Sequence, residues 1–135
     1  MKDLNSVLSS IDISADWIGL REVCENKTFR YIRDMNPQSN TRSSSHGIMV
    51  EVLSNGQFGY SATSDTSNSG INRAAKSALD NANAGSKNNI FNFDPSVRPK
   101  AVGTYKSPFI KKASSLSPGQ INEMLLKSNK FLTSN

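Results

Sequence analysis

The chain has 135 residues, 36% of them hydrophobic and 20% charged, with a mean hydropathy of −0.49 and a formal net charge of +5. That is the composition of an ordinary globular chain, long enough to bury one core without a disulfide or a structural metal. The single Cys24 excludes an internal disulfide and suits a reducing compartment, the stretch from Met1 to Ile11 lacks the apolar core of a signal peptide, and no apolar run approaches the ~18 residues that span a bilayer, so membrane insertion is excluded and a cytoplasmic protein is expected.

Leu4, Val7, Leu8 and Ile11 recur at the spacing of one helical face, with Asp3 placed to cap them, and predict a short first helix. From Ala15 the period shifts. Residues 18–25 and 27–34 are two runs with β-branched and aromatic residues on either side of Asn26, a turn former, and predict an antiparallel hairpin whose interleaved Arg21, Glu22, Arg30 and Arg33 require a wet face or a sheet edge. The polar stretch 35–45 reads as loop or edge strand. Residues 47–53 and 57–63 then flank Asn55-Gly56, the dipeptide that most readily takes the positive φ angles of a type I′ turn. Ile48, Val50 and Val52 alternate on one side of this second hairpin and Phe58, Tyr60 and Ala62 on one side of its partner strand, so the hairpin has a face to bury.

The expected cover is the next helix, where Ile71, Ala74, Ala75, Ala78, Leu79 and Ala82 keep the 3.6-residue period; Ser67 or Ser69 caps its start and Gly85 ends it. Small alanines allow close approach to a sheet. After Gly85 the composition turns to Ser, Lys and Asn and then to proline-punctuated sequence, as at a domain boundary, which divides the chain into an α+β domain over 1–86 and a connector with the start of a second segment over 87–135. Residues 97–107 offer one more strand. Ser117-Pro118-Gly119-Gln120 has the capping-box pattern and opens a helix through Ile121, Met124 and Leu125. The fold expected is thus α+β, a mostly antiparallel sheet of about five strands covered by two or three helices. The positive charge is concentrated in the late connector, where Arg98, Lys100, Lys106, Lys111 and Lys112 fall among prolines with little aromatic interleaving; this reads as a solvated connector, with a nucleic-acid surface over 98–112 as the alternative.

The inventory for chemistry is poor: one His, one Cys and scattered carboxylates. Cys24 is flanked by glutamates rather than the cations that activate a thiol, and His46 has no second histidine at helical spacing. Gly56-Gln57-Phe58-Gly59 crosses a hairpin turn, not the strand-to-helix junction of a phosphate loop. Asp3, Asp12, Asp65 and Asp80 belong to helix ends or exposed faces. No catalytic, cofactor-binding or metal-ligating residue is assigned to this chain.

The run from Ser43 to Asp65 nevertheless resembles a known family. It carries serines, a glycine, an alternating Val-rich strand, an N-G turn, the aromatic-Gly-aromatic triplet Phe58-Gly59-Tyr60, a small-residue pair, Thr63 and Asp65, and then an Ala-rich helix. In that order they are similar to the first domain of the TldD/PmbA (TldE) family, historically labelled modulator of DNA gyrase. Ala15-Asp16-Trp17-Ile18-Gly19-Leu20-Arg21 resembles the family's A-D-(aromatic)-x-x-L-R strand, and Val97-Arg98-Pro99 with residues 103–108 resembles its entry to the central domain; Glu51 stands where an arginine is common. The resemblance implies a cytoplasmic zinc metallopeptidase of two related subunits, TldD-like and TldE-like, acting on unfolded or extended peptide substrates. The family's H-E-x-x-x-H motif lies in a C-terminal domain and this sequence has no H-E pair, so the zinc is expected there and this chain is expected to be an inactive N-terminal fragment that shapes the subunit interface and the substrate path. The alternative is a free-standing peptide- or protein-binding module.

Overall fold

In the computed structural model, which describes residues 3–98, 100–105 and 108–133, the element order is α1 (Leu4–Ser9), β1 (Trp17–Arg33), β2 (Asn36–Ser54), β3 (Gln57–Thr63), α2 (Asn68–Ser86) and α3 (Pro118–Thr133), with 3₁₀ turns at Pro95–Val97 and Ala113–Ser115. The class is α+β, as expected. The sheet has three antiparallel strands in the order β1-β2-β3, not about five. The difference lies in two places. Asn26 makes no turn: β1 runs through it to Arg33, and the chain reverses at Asp34-Met35, which adopt φ of 48° and 63°. The polar stretch 36–46 is then the first half of the 19-residue β2, so two predicted hairpins share one continuous central strand. The strand predicted over 97–107 does not form: Val97 closes a 3₁₀ turn, residues 100–105 have no regular structure, and Pro99, Lys106 and Ser107 lie outside the described residues.

The chain divides into two compact units, and β1 and β2 contribute to both. The first unit holds the residues up to Glu25 together with Ser45–Ala101. Its core is Val7 of α1, Ile48, Val50 and Val52 of β2, and Ile71, Ala74, Ala75 and Ala78 of α2, with Ile11, Ile13, Ile18 and Leu20 packed around them. Ile48, Val50, Val52 and Ile71 of this core are essentially inaccessible, as is Leu53 outside it, and each contributes roughly 1.5–3 kcal/mol by leaving water. The β2–β3 ladder pairs Val50 with Ser61 and Val52 with Gly59, so the face presented to α2 combines large residues on one strand with small ones on the other. The contact is closest at Gly59, where an added Cβ would lie 2.0 Å from the Ala78 carbonyl oxygen and 2.5 Å from the Ala82 amide nitrogen. The aromatic face of β3 is therefore turned away from α2.

Local signals hold where they are self-contained. Asp3 caps α1 by accepting from the Asn5 amide, and Ser67 caps α2 by accepting from the Gly70 amide. Asn55 and Gly56 take φ of 51° and 72°, the type I′ geometry expected of the pair. Gly85 does not end α2, which runs on to Ser86 and stops at Lys87 in an ordinary helical conformation. In the second unit, Asn26–Ser44 with the residues from Val102 on, α3 opens with a reciprocal capping box: the Ser117 amide donates to Gln120 Oε1 at 2.8 Å and the Gln120 amide to Ser117 Oγ at 3.2 Å. Asn129 of that helix accepts from the Met35 amide at 2.7 Å and fixes the reversal between β1 and β2.

Asp65 anchors the entry to α2. Its carboxylate accepts from the Ser67 amide at 3.0 Å and pairs with Arg73 at 2.7 Å, and these contacts, Ser67 first, hold the carboxyl below its ordinary value. A lowered folded-state pKa contributes stability above the unfolded value of about 3.9 and loses it as pH falls through the folded value. Asp65→Asn is therefore expected to lower the melting temperature at neutral pH, with the gap to the wild type shrinking below about pH 4 in thermal melts across pH. Gly59→Ala cannot be relieved by a side-chain rotation, because the obstacle is helix backbone; it is expected to cost about 3 kcal/mol or more in urea unfolding.

Candidate functional site

Strand alternation leaves Met49, Glu51 and Leu53 of β2 on the side away from α2, opposite Ala62, Tyr60 and Phe58 of β3. This outer face is where aromatic and charged side chains gather. Phe58 is its centre: Trp17 meets it edge-on at 6.4 Å between centroids, Phe93 packs at 5.3 Å, and Phe91 stands at right angles to Phe93 at 5.2 Å. The segment after α2 supplies the last two rings because it returns to the hairpin, the Phe93 amide donating to the Gly56 carbonyl at 2.8 Å.

Arg98 closes the cluster. Its guanidinium carbon lies 5.1 Å from the centre of the Phe58 ring, and its Nη2 and Nε donate to Glu51 Oε1 at 2.8 and 3.2 Å. The Glu51 carboxylate raises the arginine's pKa further above its ordinary range. Tyr60, on the strand position paired with Glu51, has its hydroxyl raised by partial burial and then by Glu51, against the opposing pull of Arg98. Glu51 is thus matched by the first cation of the late basic segment. Arg98, expected in a solvated connector, is exposed and is also held by a carboxylate and a ring.

A second feature lies at the end of β3. Val23, Ser45, His46, Gly47, Met49, Ala62 and Thr63 are among the residues lining an open groove of about 340 Å³. His46 lies within β2, not at a strand start, and its Nε2 is 2.8 Å from Oε1 of Glu22, whose side chain is 7% exposed. Cys24 is an exposed residue of the edge strand β1. His46 is hydrogen-bonded to Glu22, and among the described residues no hydrogen bond joins it to Cys24. Asp3, Asp65 and Asp94 act as helix-end or turn acceptors.

The donor chemistry around His46 does not fit zinc, which takes three or four ligands: among the described residues no group of three His, Cys, Asp or Glu side chains converges. What the outer face offers is an apolar, aromatic surface with one neutralised ion pair, and the sheet adds two edges, β1 and β3, paired on one side only. No helix among the described residues is long and apolar enough to cross a membrane.

Residues 25–82 match the family model for PmbA/TldA metallopeptidase domain 1. The matched stretch runs from β1 through both later strands into α2, and includes the Asn55-Gly56 turn and the Phe58-Gly59-Tyr60 triplet. No curated protein and no solved structure gives a significant match.

Glu51→Gln removes the carboxylate that raises Tyr60, so this tyrosine is expected to ionise at lower pH in the variant. An ultraviolet titration of the three tyrosines, against a Tyr60→Phe control, checks the shift.

Proposed function

We propose that this chain, whose residues 25–82 match the model for PmbA/TldA metallopeptidase domain 1, is a non-catalytic part of a zinc metallopeptidase subunit, shaping the subunit interface and the path by which an extended peptide reaches the catalytic residues. The family match carries this reading. It is supported by the donor inventory, one His and one Cys with no adjacent His-Glu pair, which leaves hydrolysis and the zinc to residues outside this sequence. In the same proposal residues 1–86 are the N-terminal domain and 87–135 lead into a central domain, the partner is a related TldD- or TldE-type subunit, and the setting is cytoplasmic, as the lone Cys24 favours.

An extended substrate suits a sheet edge, because main-chain pairing reads the backbone and is indifferent to side-chain identity. β3 is seven residues long, ends beside the open groove at Thr63, and among the described residues has no strand on its outer side. Its length matches a short stretch of unfolded chain.

Two measurements test the proposal. The purified chain with added zinc is expected to leave a denatured protein substrate intact; turnover above the blank overturns the non-catalytic role. Saturation with an unfolded peptide is expected to slow amide hydrogen exchange within Gln57–Thr63, and unchanged exchange across the sheet removes the substrate-path role.

A further inference from the structure

Asn55-Gly56 is the only place in the sequence where glycine follows asparagine. Such a pair carries a reaction of its own. The glycine amide nitrogen attacks the asparagine side-chain carbonyl carbon, and a residue without Cβ leaves that approach open, which is one reason asparagine is a thermolabile residue. The new N–C bond closes a five-membered succinimide, Nδ2 leaves as ammonia carrying the proton given up by the glycine amide, and water then opens either carbonyl to give aspartate or isoaspartate. No oxidant or cofactor takes part.

While the turn is closed, its hydrogen bonds oppose this reaction. Attack requires the Asn55 side chain to swing onto the Gly56 nitrogen, but its Nδ2 donates to Asn83 Oδ1 at 2.9 Å and to Ser54 Oγ at 3.5 Å. The backbone is tied as well. The Asn55 amide donates to Asp16 at 3.1 Å, the Gly56 carbonyl accepts from the Phe93 amide at 2.8 Å, and the two residues are fixed at φ of 51° and 72°. Asn55 itself is exposed, and single hydrogen bonds at the tip of a hairpin open far more often than the core beneath them.

We propose that Asn55 is a site of spontaneous deamidation gated by opening of this turn, and that its products keep the turn from closing as before. Isoaspartate adds a methylene to the main chain, so the two-residue connection that pairs Ser54 with Gln57 becomes too long. Aspartate keeps the chain length but loses the donor that Asn83 and Ser54 accept from, and sets a second carboxylate beside Asp16. Either product weakens the tie of the hairpin to α2 and to the entry of β1.

The 135-residue chain, its Asn83→Ala and Asp16→Ala variants and a peptide of residues 50–61 can be aged in mildly alkaline buffer and mapped by mass spectrometry, with circular dichroism following the fold. Conversion of amide to acid at Asn55 is expected in the folded chain about tenfold to a hundredfold more slowly than in the peptide, and about threefold or more faster in each variant than in the wild type. The modified fraction is expected to unfold at lower urea. Asn55→Gly, which retains a sequence suited to the type I′ turn, is expected to stay unmodified and to hold its urea midpoint through ageing. A folded chain that converts as fast as the peptide, or folded variants no faster than the wild type, overturns the gate. A folded chain still intact after about a hundred peptide half-lives overturns the site, and a modified fraction as stable as the unmodified one overturns the effect on the turn.

Discussion

The closeness of α2 to β3 at Gly59 is the constraint from which the rest of the first unit follows. A helix that nearly touches strand backbone needs small residues on both surfaces, and the chain provides Gly59 and Ser61 on one and Ala74, Ala75, Ala78 and Ala82 on the other. Apolar volume must then come from the neighbouring strand, which is why Ile48, Val50 and Val52 of β2 are the large inaccessible residues. Because side chains alternate, the bulky residues of β3 are forced to the opposite face. Phe58 and Tyr60 are outward-facing as a result of Gly59 being inward-facing, and the outer aromatic cluster is a consequence of how the core is packed.

Polar side chains fix what the apolar contact leaves free to slide. Asn83 Oδ1 on α2 accepts from Ser54 Oγ at 3.0 Å and from Asn55 Nδ2 at 2.9 Å, and Asp16 accepts from the Asn55 amide at 3.1 Å, so the tight turn is tied to both the helix and the entry to β1. Asn72 accepts from the Asp12 amide at 2.9 Å, and Asn81 donates to the Tyr60 carbonyl at 3.0 Å. Three asparagines in a helix are poor choices by propensity. Each binds a backbone or turn group, and a stripe of alanine methyls alone would leave helix register loosely specified.

This division explains what the sequence disclosed. Features closed within a few residues were legible: the Asn55-Gly56 turn, the Ser117–Gln120 capping box, the alanine stripe of α2 and the caps at Asp3 and Ser67 all formed as read. Features closed by distant partners were not. Asn26 looked like the better turn former, yet the reversal sits at Asp34-Met35, where a methionine at positive φ gains its support from Asn129. Met35 carries no local signal for that conformation, and the hydrogen bond that rewards it comes from a helix 94 residues later. The length of β2 was hidden for a related reason: its first half is polar, and pairing with β1 rather than burial holds it extended. At the candidate site, Phe58 and Tyr60 were visible as an alternating pair, whereas the Glu51–Arg98 bond joins residues 47 apart and has no periodic signature.

The same geometry separates the surfaces available for contact. The inner face is consumed by α2 and α1, and part of the outer face by the returning segment that brings Phe93 and Arg98 onto Phe58. What remains are the two edges and the groove between Val23 and Ala62. They differ in kind. β3 offers seven residues of backbone whose outer-face side chains are already engaged by Glu51, Phe93 and Arg98, so an added strand is read there chiefly through its main chain. β1 is longer and has Arg21 and Val23 exposed beside it, so that edge presents charged and apolar side chains as well as backbone.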